Sequence, residues 1–84
     1  MNWKHTIDSI ETREDFADFL LALQKDFDGN PQEWENGTLD SYLWSLYRWV
    51  NDMDGYLVNH SINVTDLNPW QLLANILYAA KIYE

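Results

Sequence analysis

Apolar residues recur with the period of an α-helix in three stretches of the chain, and no stretch shows the sustained alternation of a β-strand. The first stretch follows an approximate capping box with an acidic first turn at residues 12–15. Its apolar stripe consists of Phe16, Phe19, Leu20, Leu23 and Phe27. Gly29 and Pro31 mark its end, because glycine favours a helix end and proline prevents continuation. The pattern predicts a first helix from Thr12 to Gly29.

The second stretch predicts the longest helix, over residues 39–58. Before it, Asn30-Pro31 favours one short turn at residues 31–35, because asparagine caps helices and proline suits their first position. Thr38 then caps the long helix. Its apolar residues are spaced four and three apart, which is typical of a packed seam: Leu39, Leu43, Leu46, Val50, Met53 and Leu57.

The last helix begins at a second asparagine-proline pair, Asn68-Pro69, and runs nearly to Glu84. Apolar residues cover most of its circumference. Such a helix is either buried on several sides or shared with another chain. A homodimer through this helix is therefore one expectation.

These elements predict an all-α fold, a small three-helix bundle with one additional short helical turn. Eighty-four residues make one domain, in which residues 12–84 form the core and residues 1–11 an N-terminal extension. Ile7 and Ile10 are expected to tuck over the end of the bundle. The predicted core consists of Phe16, Leu20, Leu23, Leu43, Leu46, Val50, Met53, Leu73 and Leu77.

Charge narrows the class of partner. The chain carries 14 acidic and 5 basic residues, a formal net charge of −9. A phosphate backbone and an anionic membrane surface would both be repelled, so we expect neither nucleic acid nor membrane as a partner. A basic protein partner is favoured. Because the chain has no cysteine and its start has no apolar signal region, the expected location is the cytoplasm.

The chain lacks a recognisable catalytic constellation. His5 and His60 are its two histidines, and neither has a carboxylate or nucleophile at a recognised spacing. No serine lies in a nucleophile elbow, and there is no glycine-rich phosphate loop. Without cysteine, thiol catalysis and thiolate zinc sites are excluded. The sequence therefore predicts a protein without catalytic residues, which is not an enzyme.

Two acidic segments resemble metal sites only in part. Residues 24–35 place Asp, Asp, Gly and Glu at positions 3, 5, 6 and 12 of a calcium-loop pattern. Gln24 replaces the first aspartate and Pro31 occupies an apolar position, so we interpret the segment as a helix end followed by a helix start. Asp52 and Asp54 diverge by about 200° on a continuous helix and cannot share one ion. The sequence predicts neither a metal nor another cofactor.

Gly55 nevertheless supplies an alternative function. Within a helix, glycine costs about 1 kcal/mol relative to alanine, so its presence indicates a kink, an early end or the close approach of another backbone. A groove beside Tyr56 would follow. The alternative is therefore a small-ligand or metal-binding domain that uses Asp52, Asp54, Tyr56 and Trp34 around Gly55.

The aromatic residues of the long helix favour protein binding. One line of them, seven residues apart, adjoins the seam: Tyr42, Trp49 and Tyr56. Trp49 is assigned to the core. Trp44 and Tyr47 leave both lines and have Arg48 beside them, a composition typical of interaction hot spots. The predicted partner-binding residues are Trp44, Tyr47, Arg48, Asp52, Asp54 and Tyr56.

Four short motifs span most of the chain: N-P-x-x-W-E-N at residues 30–36, L-x-x-Y-L at 39–43, D-x-D-G-Y at 52–56 and A-x-x-Y-E at 80–84, with Trp49 and Trp70 between them. Over residues 12–84 the chain resembles a family of small bacterial proteins classed as a domain of unknown function. The resemblance implies a stand-alone, soluble, helical bacterial protein and assigns no site residues. The leading hypothesis is a non-enzymatic, acidic protein–protein interaction module. One form is an immunity-type or inhibitor protein that binds a basic toxin or nuclease.

Overall fold

A computed structural model describes residues 2–59 and 63–83, so His60 and Glu84 lie outside the described residues. The described residues form four α-helices and no strand: α1 (Trp3–Asp8), α2 (Arg13–Gly29), α3 (Leu39–Asn59) and α4 (Pro69–Ile82). Short 3-10 turns lie at Pro31–Glu33 and Val64–Asp66. The all-α fold and the three longer helices are confirmed. Helix α1 was not predicted, because six residues are too few to show a helical period.

The predicted starts of α2 and α4 are built from side-chain caps, whereas the Asn30 side chain makes no capping hydrogen bond at the turn that follows it. The Thr12 hydroxyl accepts a hydrogen bond from the Asp15 backbone N–H at 3.1 Å. The Asn68 side chain accepts from the Gln71 N–H at 2.8 Å, and the Gln71 side chain accepts from the Asn68 N–H at 3.3 Å. This reciprocal pair is a capping box with Pro69 at the first helical position. Local sequence therefore determines where α2 and α4 begin.

Helix α4 is the central element of the fold. The other three helices, α1, α2 and α3, all pack against it. This packing accounts for the apolar circumference of α4 within a single chain. The homodimer through α4 stays a prediction.

The main core lies where α1, α2 and α4 meet. Its buried residues are Ile7, Ile10, Phe19, Leu23 and Ala74, and the partly buried residues against it include Trp3, Phe16, Trp34, Trp70, Leu77 and Tyr78. The predicted burial of Ile7 and Ile10 is confirmed. Residues 3–10 therefore belong to the same core as the helices that follow them.

The predicted seam of α3 is wrong for most of its length. Leu39, Leu43 and Val50 are 75%, 54% and 46% exposed. Leu46 and Met53 are half-buried at its margin, and Leu57 at the end of α3 is buried. Two further predicted core residues, Leu20 on α2 and Leu73 on α4, are also exposed.

A neighbouring stripe of α3 faces α4 instead. Ser45 and Trp49 are buried, which confirms the assignment of Trp49 to the core, and Tyr42 is half-buried between them and the start of the helix. With about 100° per residue, this stripe is centred roughly 100° from the line through Leu39 and Val50. This stripe, rather than the leucine seam, faces α4 because the hydroxyl groups of Tyr42 and Ser45 donate hydrogen bonds to α4 and the residue after it. The spacing of the leucines gives no indication of those hydrogen bonds.

Candidate interaction surface

A buried ion pair ties α2 to α4. The Lys81 ammonium lies 2.8 Å from Asp26 Oδ2, and the Lys81 residue is only 7% exposed. The same carboxylate oxygen accepts the Trp34 indole N–H at 2.8 Å. The Lys81 hydrogen bond, more than the Trp34 bond or charge attraction, lowers the pKa of Asp26 against the opposing effect of burial. The rings of Trp3, Trp34 and Tyr78 lie within 6 Å of the ammonium and add cation–π contacts: 5.5, 5.6 and 5.9 Å.

The carboxyl end of α4 is closed by side chains from two other segments. The Asn36 amide donates to the carbonyls of Ala80 at 3.0 Å and Tyr83 at 2.6 Å. The buried Ser45 hydroxyl donates to the Tyr83 carbonyl at 3.0 Å. The last carbonyls of a helix lack partners within it, so these donors satisfy groups that would otherwise need water. Asn36, Ala80 and Tyr83 come from the motifs at residues 30–36 and 80–84, which therefore have a structural role.

Tyr42 links the middle of the fold. Its hydroxyl donates to the Leu77 carbonyl on α4 at 2.7 Å. Its ring lies 5.7 Å from the ring of Trp34. Burial raises the pKa of Tyr42 to about 12. The residue therefore stays neutral over the physiological range and serves as a packing and hydrogen-bonding group.

Two predicted partner-binding residues make contacts within the chain. The Asp52 carboxylate accepts a short hydrogen bond from the Tyr83 hydroxyl, and this bond is the main cause of the raised pKa of Tyr83. The Arg48 guanidinium lies 5.5 Å above the Tyr83 ring. Both side chains therefore hold the end of α4 against α3. Their role in partner binding stays a prediction.

The groove expected near Gly55 is present. A cleft of about 730 Å³ between α3 and α4 is lined by Trp49, Asp52, Gly55, Tyr56, Asn59, Asn75, Tyr78, Ala79, Ile82 and Tyr83. The Tyr56 ring lies 5.4 Å from that of Trp49. Asp54 is exposed, and neither Asp54 nor Trp34 is part of the lining, so the prediction that they belong to this site is wrong. Asp52 and Tyr56 thus share a cleft from which Asp54 is turned away.

Metal binding has no matching arrangement in the part of the chain that the structure describes. No group of three or more histidine, cysteine, aspartate or glutamate side chains is placed there to hold an ion. In the segment that resembles a calcium loop, α2 runs to Gly29, and the 3-10 turn Pro31–Glu33 follows. Asp26, within that segment, is paired with Lys81.

Trp44 and Tyr47 form an aromatic pair on the surface. Each is 58% exposed, and their ring centroids are 5.3 Å apart. Both lie on the side of α3 away from α4, because Ser45 and Trp49 occupy the side that faces it. Their position off the core agrees with the sequence analysis, and their role as partner-binding residues stays a prediction.

The exposed seam of α3 continues this aromatic pair into a larger apolar face, here called the outer face of α3. Its members are Leu39, Leu43, Trp44, Tyr47 and Val50, with the half-buried Leu46 at its edge. The aliphatic members were predicted to lie in the core. Ser45 was the missed signal, because a small hydroxyl residue flanked by Tyr42 and Trp49 on one stripe suits close packing and hydrogen bonding to another helix.

The geometry defines a small all-α domain whose longest helix directs an apolar face to solvent. A model of a family of unknown function, DUF7660, matches residues 12–84, and the chain belongs to this family. The predicted resemblance of residues 12–84 to a family of unknown function is thereby confirmed. Comparison with curated proteins and with solved structures gives no match. None of the helices in the described ranges is both long and apolar enough to pass through a bilayer.

Proposed function

We propose that this protein is a non-enzymatic interaction module of the cytoplasm that binds a basic protein partner through the outer face of α3. An immunity-type or inhibitor protein is the particular form that fits an acidic domain of this size. The observation that carries the proposal is the exposed apolar face that extends from Leu39 to Val50 and includes the Trp44–Tyr47 pair.

Exposure of this kind is unusual for a surface without a partner. Scattered apolar residues are normal on a protein surface, whereas a contiguous apolar patch marks a site of interaction. Here the exposed residues lie on one side of one helix, and two of them are aromatic. Tryptophan and tyrosine are enriched among the residues that dominate binding energy. The outer face of α3 therefore has both the shape and the composition of a binding surface.

Charge favours a basic partner for this face. Asp40 and Asp54 lie on α3 and are exposed, and Arg48 is placed against Tyr83. The chain as a whole carries a net charge of −9. Complementary charge speeds encounter and disfavours partners of the wrong sign.

Capture from a lysate of the source organism tests the proposal. The wild-type chain, Trp44→Ser/Tyr47→Ser and a control, Leu21→Ser/Leu73→Ser, are immobilised and washed at low and at high salt. The control removes two apolar side chains that are also exposed, on α2 and α4. We expect a partner that is retained by the wild type and the control, is lost from the aromatic variant, and is weakened by high salt. The absence of any partner at either salt, or equal capture by all three chains, would refute the proposal.

A second candidate function is favoured by the cleft beside Gly55. It is lined by Asp52 and Tyr56, two residues that the sequence analysis singled out for ligand binding. Trp49 lines the same cleft, so its fluorescence reports on an occupant. Titration with calcium, magnesium and a set of metabolites is the test, and Tyr56→Ala is the variant. A response that the variant abolishes supports a ligand site, and a flat response throughout removes it.

A further inference from the structure

We infer that the partner element recognised by the outer face of α3 is a basic amphipathic α-helix laid along the seam of that helix. The inference rests on the proposed function and specifies the partner. It is carried by three observations: the heptad spacing of the exposed seam, the separate stripe that α3 uses inside the chain, and the acidic residues that flank the seam.

The exposed seam has the spacing that a second helix requires. Leu39, Leu43, Leu46 and Val50 follow each other at intervals of four, three and four residues. A repeat of this kind keeps one line of side chains facing a partner helix, whose own side chains fit the holes between them. Neither an extended strand nor an irregular loop has this period. The spacing therefore indicates a helical partner.

Packing within the chain leaves this seam unused. Helix α3 meets α4 through the stripe that contains Tyr42, Ser45 and Trp49, and two of these residues donate hydrogen bonds to α4 or the residue after it. Leu43 and Val50 remain about half exposed although they sit on the same helix. The helix thus has two packing stripes, of which the described chain occupies only one.

A shallow apolar groove adjoins the seam on the side of α2. It has a volume of about 230 Å³ and is lined by Leu20, Leu23, Gln24, Phe27, Trp34 and Tyr42. Tyr42 belongs both to this groove and to the turn of α3 that carries Leu39 and Leu43. Leu20 and Phe27 are themselves exposed. A helix on the seam would therefore find apolar side chains of α2 beside it, as in helix-in-groove recognition.

The acidic residues that flank the seam favour a partner helix with positive charge. Asp40 and Asp54 occupy equivalent positions two heptads apart, on the side of the seam away from α4. Fourteen residues of helix separate them by ~21 Å. Arg48 is the only basic residue between Leu39 and Asn59, and it is stacked on Tyr83. Lysine or arginine residues in the partner helix, also two heptads apart, would meet both carboxylates.

A second copy of the chain suits this surface less well. Two antiparallel copies would bring Asp40 of one against Asp54 of the other, because equivalent flanking positions meet in that arrangement. Each copy also carries a net charge of −9. Like charges opposed across an interface disfavour association, whereas a basic helix turns the same residues into attractive contacts.

A designed peptide of three heptads provides the probe. It carries leucine at the two seam positions of each heptad and lysine at the flanking positions. One control peptide has glutamate in place of lysine, and a second has the lysine peptide's composition in an order without heptads. Binding to the full chain is measured by fluorescence anisotropy at low and high salt, and thermal melting followed by circular dichroism verifies that each protein variant is folded.

Two pairs of matched variants locate the binding. Leu43→Gln/Val50→Gln removes apolar side chains from the seam, and Leu21→Gln/Leu73→Gln removes side chains of nearly equal exposure elsewhere, at 53% and 43%. Asp40→Asn/Asp54→Asn removes the flanking charges, and Asp18→Asn/Asp28→Asn removes as many exposed charges from α2. We expect the Kd for the lysine peptide to rise about tenfold or more in the first variant of each pair and less than about threefold in its control.

Each of the following results would overturn the inference. Equal binding of the lysine peptide to the seam variant and to its control would mean that the chain merely attracts cations. Equal binding of the lysine peptide and of the control peptide without heptads would mean the same. A chain that is dimeric in sedimentation, and that Leu43→Gln/Val50→Gln makes monomeric, would identify a second copy as the occupant. If the lysine peptide does not bind while capture from the lysate still depends on Trp44 and Tyr47, the helical partner is refuted and the proposed function stands. If neither binds, both are refuted.

Discussion

Lys81 on α4 and Asp26 on α2 lie 2.8 Å apart in the interior, although 55 residues separate them in the chain. Their side chains are 9% and 18% exposed, so water screens the pair only weakly. The carboxylate also accepts the Trp34 indole N–H, and this joins the 3-10 turn region to both helices. The pair therefore sets how α2, α4 and residues 31–36 fit together.

Breaking this pair from one side should destabilise the fold strongly. Asp26→Asn leaves Lys81 buried without a counter-ion, and the loss of one partner of a buried pair costs about 3–5 kcal/mol. Asp26→Asn/Lys81→Met removes both charges and should lose less than the two single variants together, by about 1–3 kcal/mol. Urea unfolding of the wild type, Asp26→Asn, Lys81→Met and the double variant measures this coupling. Additive losses would mean that the two charges do not interact.

The closure of α4 by Asn36 gives a second prediction. Asn36→Ala removes donors to two carbonyls at the end of the helix, and we expect a loss of about 1–3 kcal/mol. Asn30→Ala is the matched control, because the Asn30 side chain makes no capping hydrogen bond. Its effect should remain within about 0.5 kcal/mol. Chemical denaturation of both variants tests the difference, and equal losses would show that Asn36 has no special role.

Because of Tyr42, the free energy of unfolding depends on pH in the alkaline range. Its pKa is raised from 10 to about 12 in the folded chain, so the folded state keeps this proton where the unfolded state has released it. The resulting contribution to stability is fully present below pH 10 and is lost as pH rises to about 12. Tyr42→Phe removes this group and should reduce the loss of stability between pH 10 and about 12. Identical profiles for wild type and Tyr42→Phe would contradict the assignment.

Trp34 should also be important for stability. Its ring packs 5.1 Å from that of Phe27 and 5.7 Å from that of Tyr42, and its indole N–H is bonded to Asp26. Trp34→Ala should therefore cost about 3–5 kcal/mol, as expected for loss of a packed aromatic side chain. Trp34→Phe retains the ring without the N–H and should lose less. A thermal melt of Trp34→Ala close to that of the wild type would show that residues 31–36 fold independently of the bundle.

Local signals predicted the ends of the helices well. Thr12 and the Asn68-Pro69 pair act through bonds and backbone preferences within a few residues, so their effect is visible in the sequence alone. Helix α1 could not be predicted in this way because it is only six residues long. The Asn2 side chain caps this helix by accepting from the His5 backbone N–H, and of these features only the burial of Ile7 was predicted.

The orientation of α3 could not be predicted in the same way. A spacing of four and three residues shows that a seam exists, but it does not show which molecule covers it. The decision within the chain depends on Ser45 and Tyr42, whose hydroxyls reach carbonyls 38 and 35 residues away. Leucine spacing was therefore a wrong indication of the intramolecular core.

The candidate site follows from the same distinction. Trp44 and Tyr47 could be assigned to the surface because they leave both apolar lines of α3. Leu43 and Val50 could not, because an aliphatic residue at heptad spacing has the same signature inside a protein and at an interface. Only the structure separates the two cases, by its contacts between α3 and α4.

The central claim is that the outer face of α3 is a surface and its Tyr42–Trp49 stripe is core. The free energy of unfolding of Leu43→Ala, compared with that of Trp49→Ala in urea, tests it most directly. We predict a loss within about 0.5 kcal/mol for Leu43→Ala, as for most surface substitutions, and about 3–5 kcal/mol for Trp49→Ala. A loss of about 2 kcal/mol or more for Leu43→Ala would place the leucine seam in the core and contradict the account.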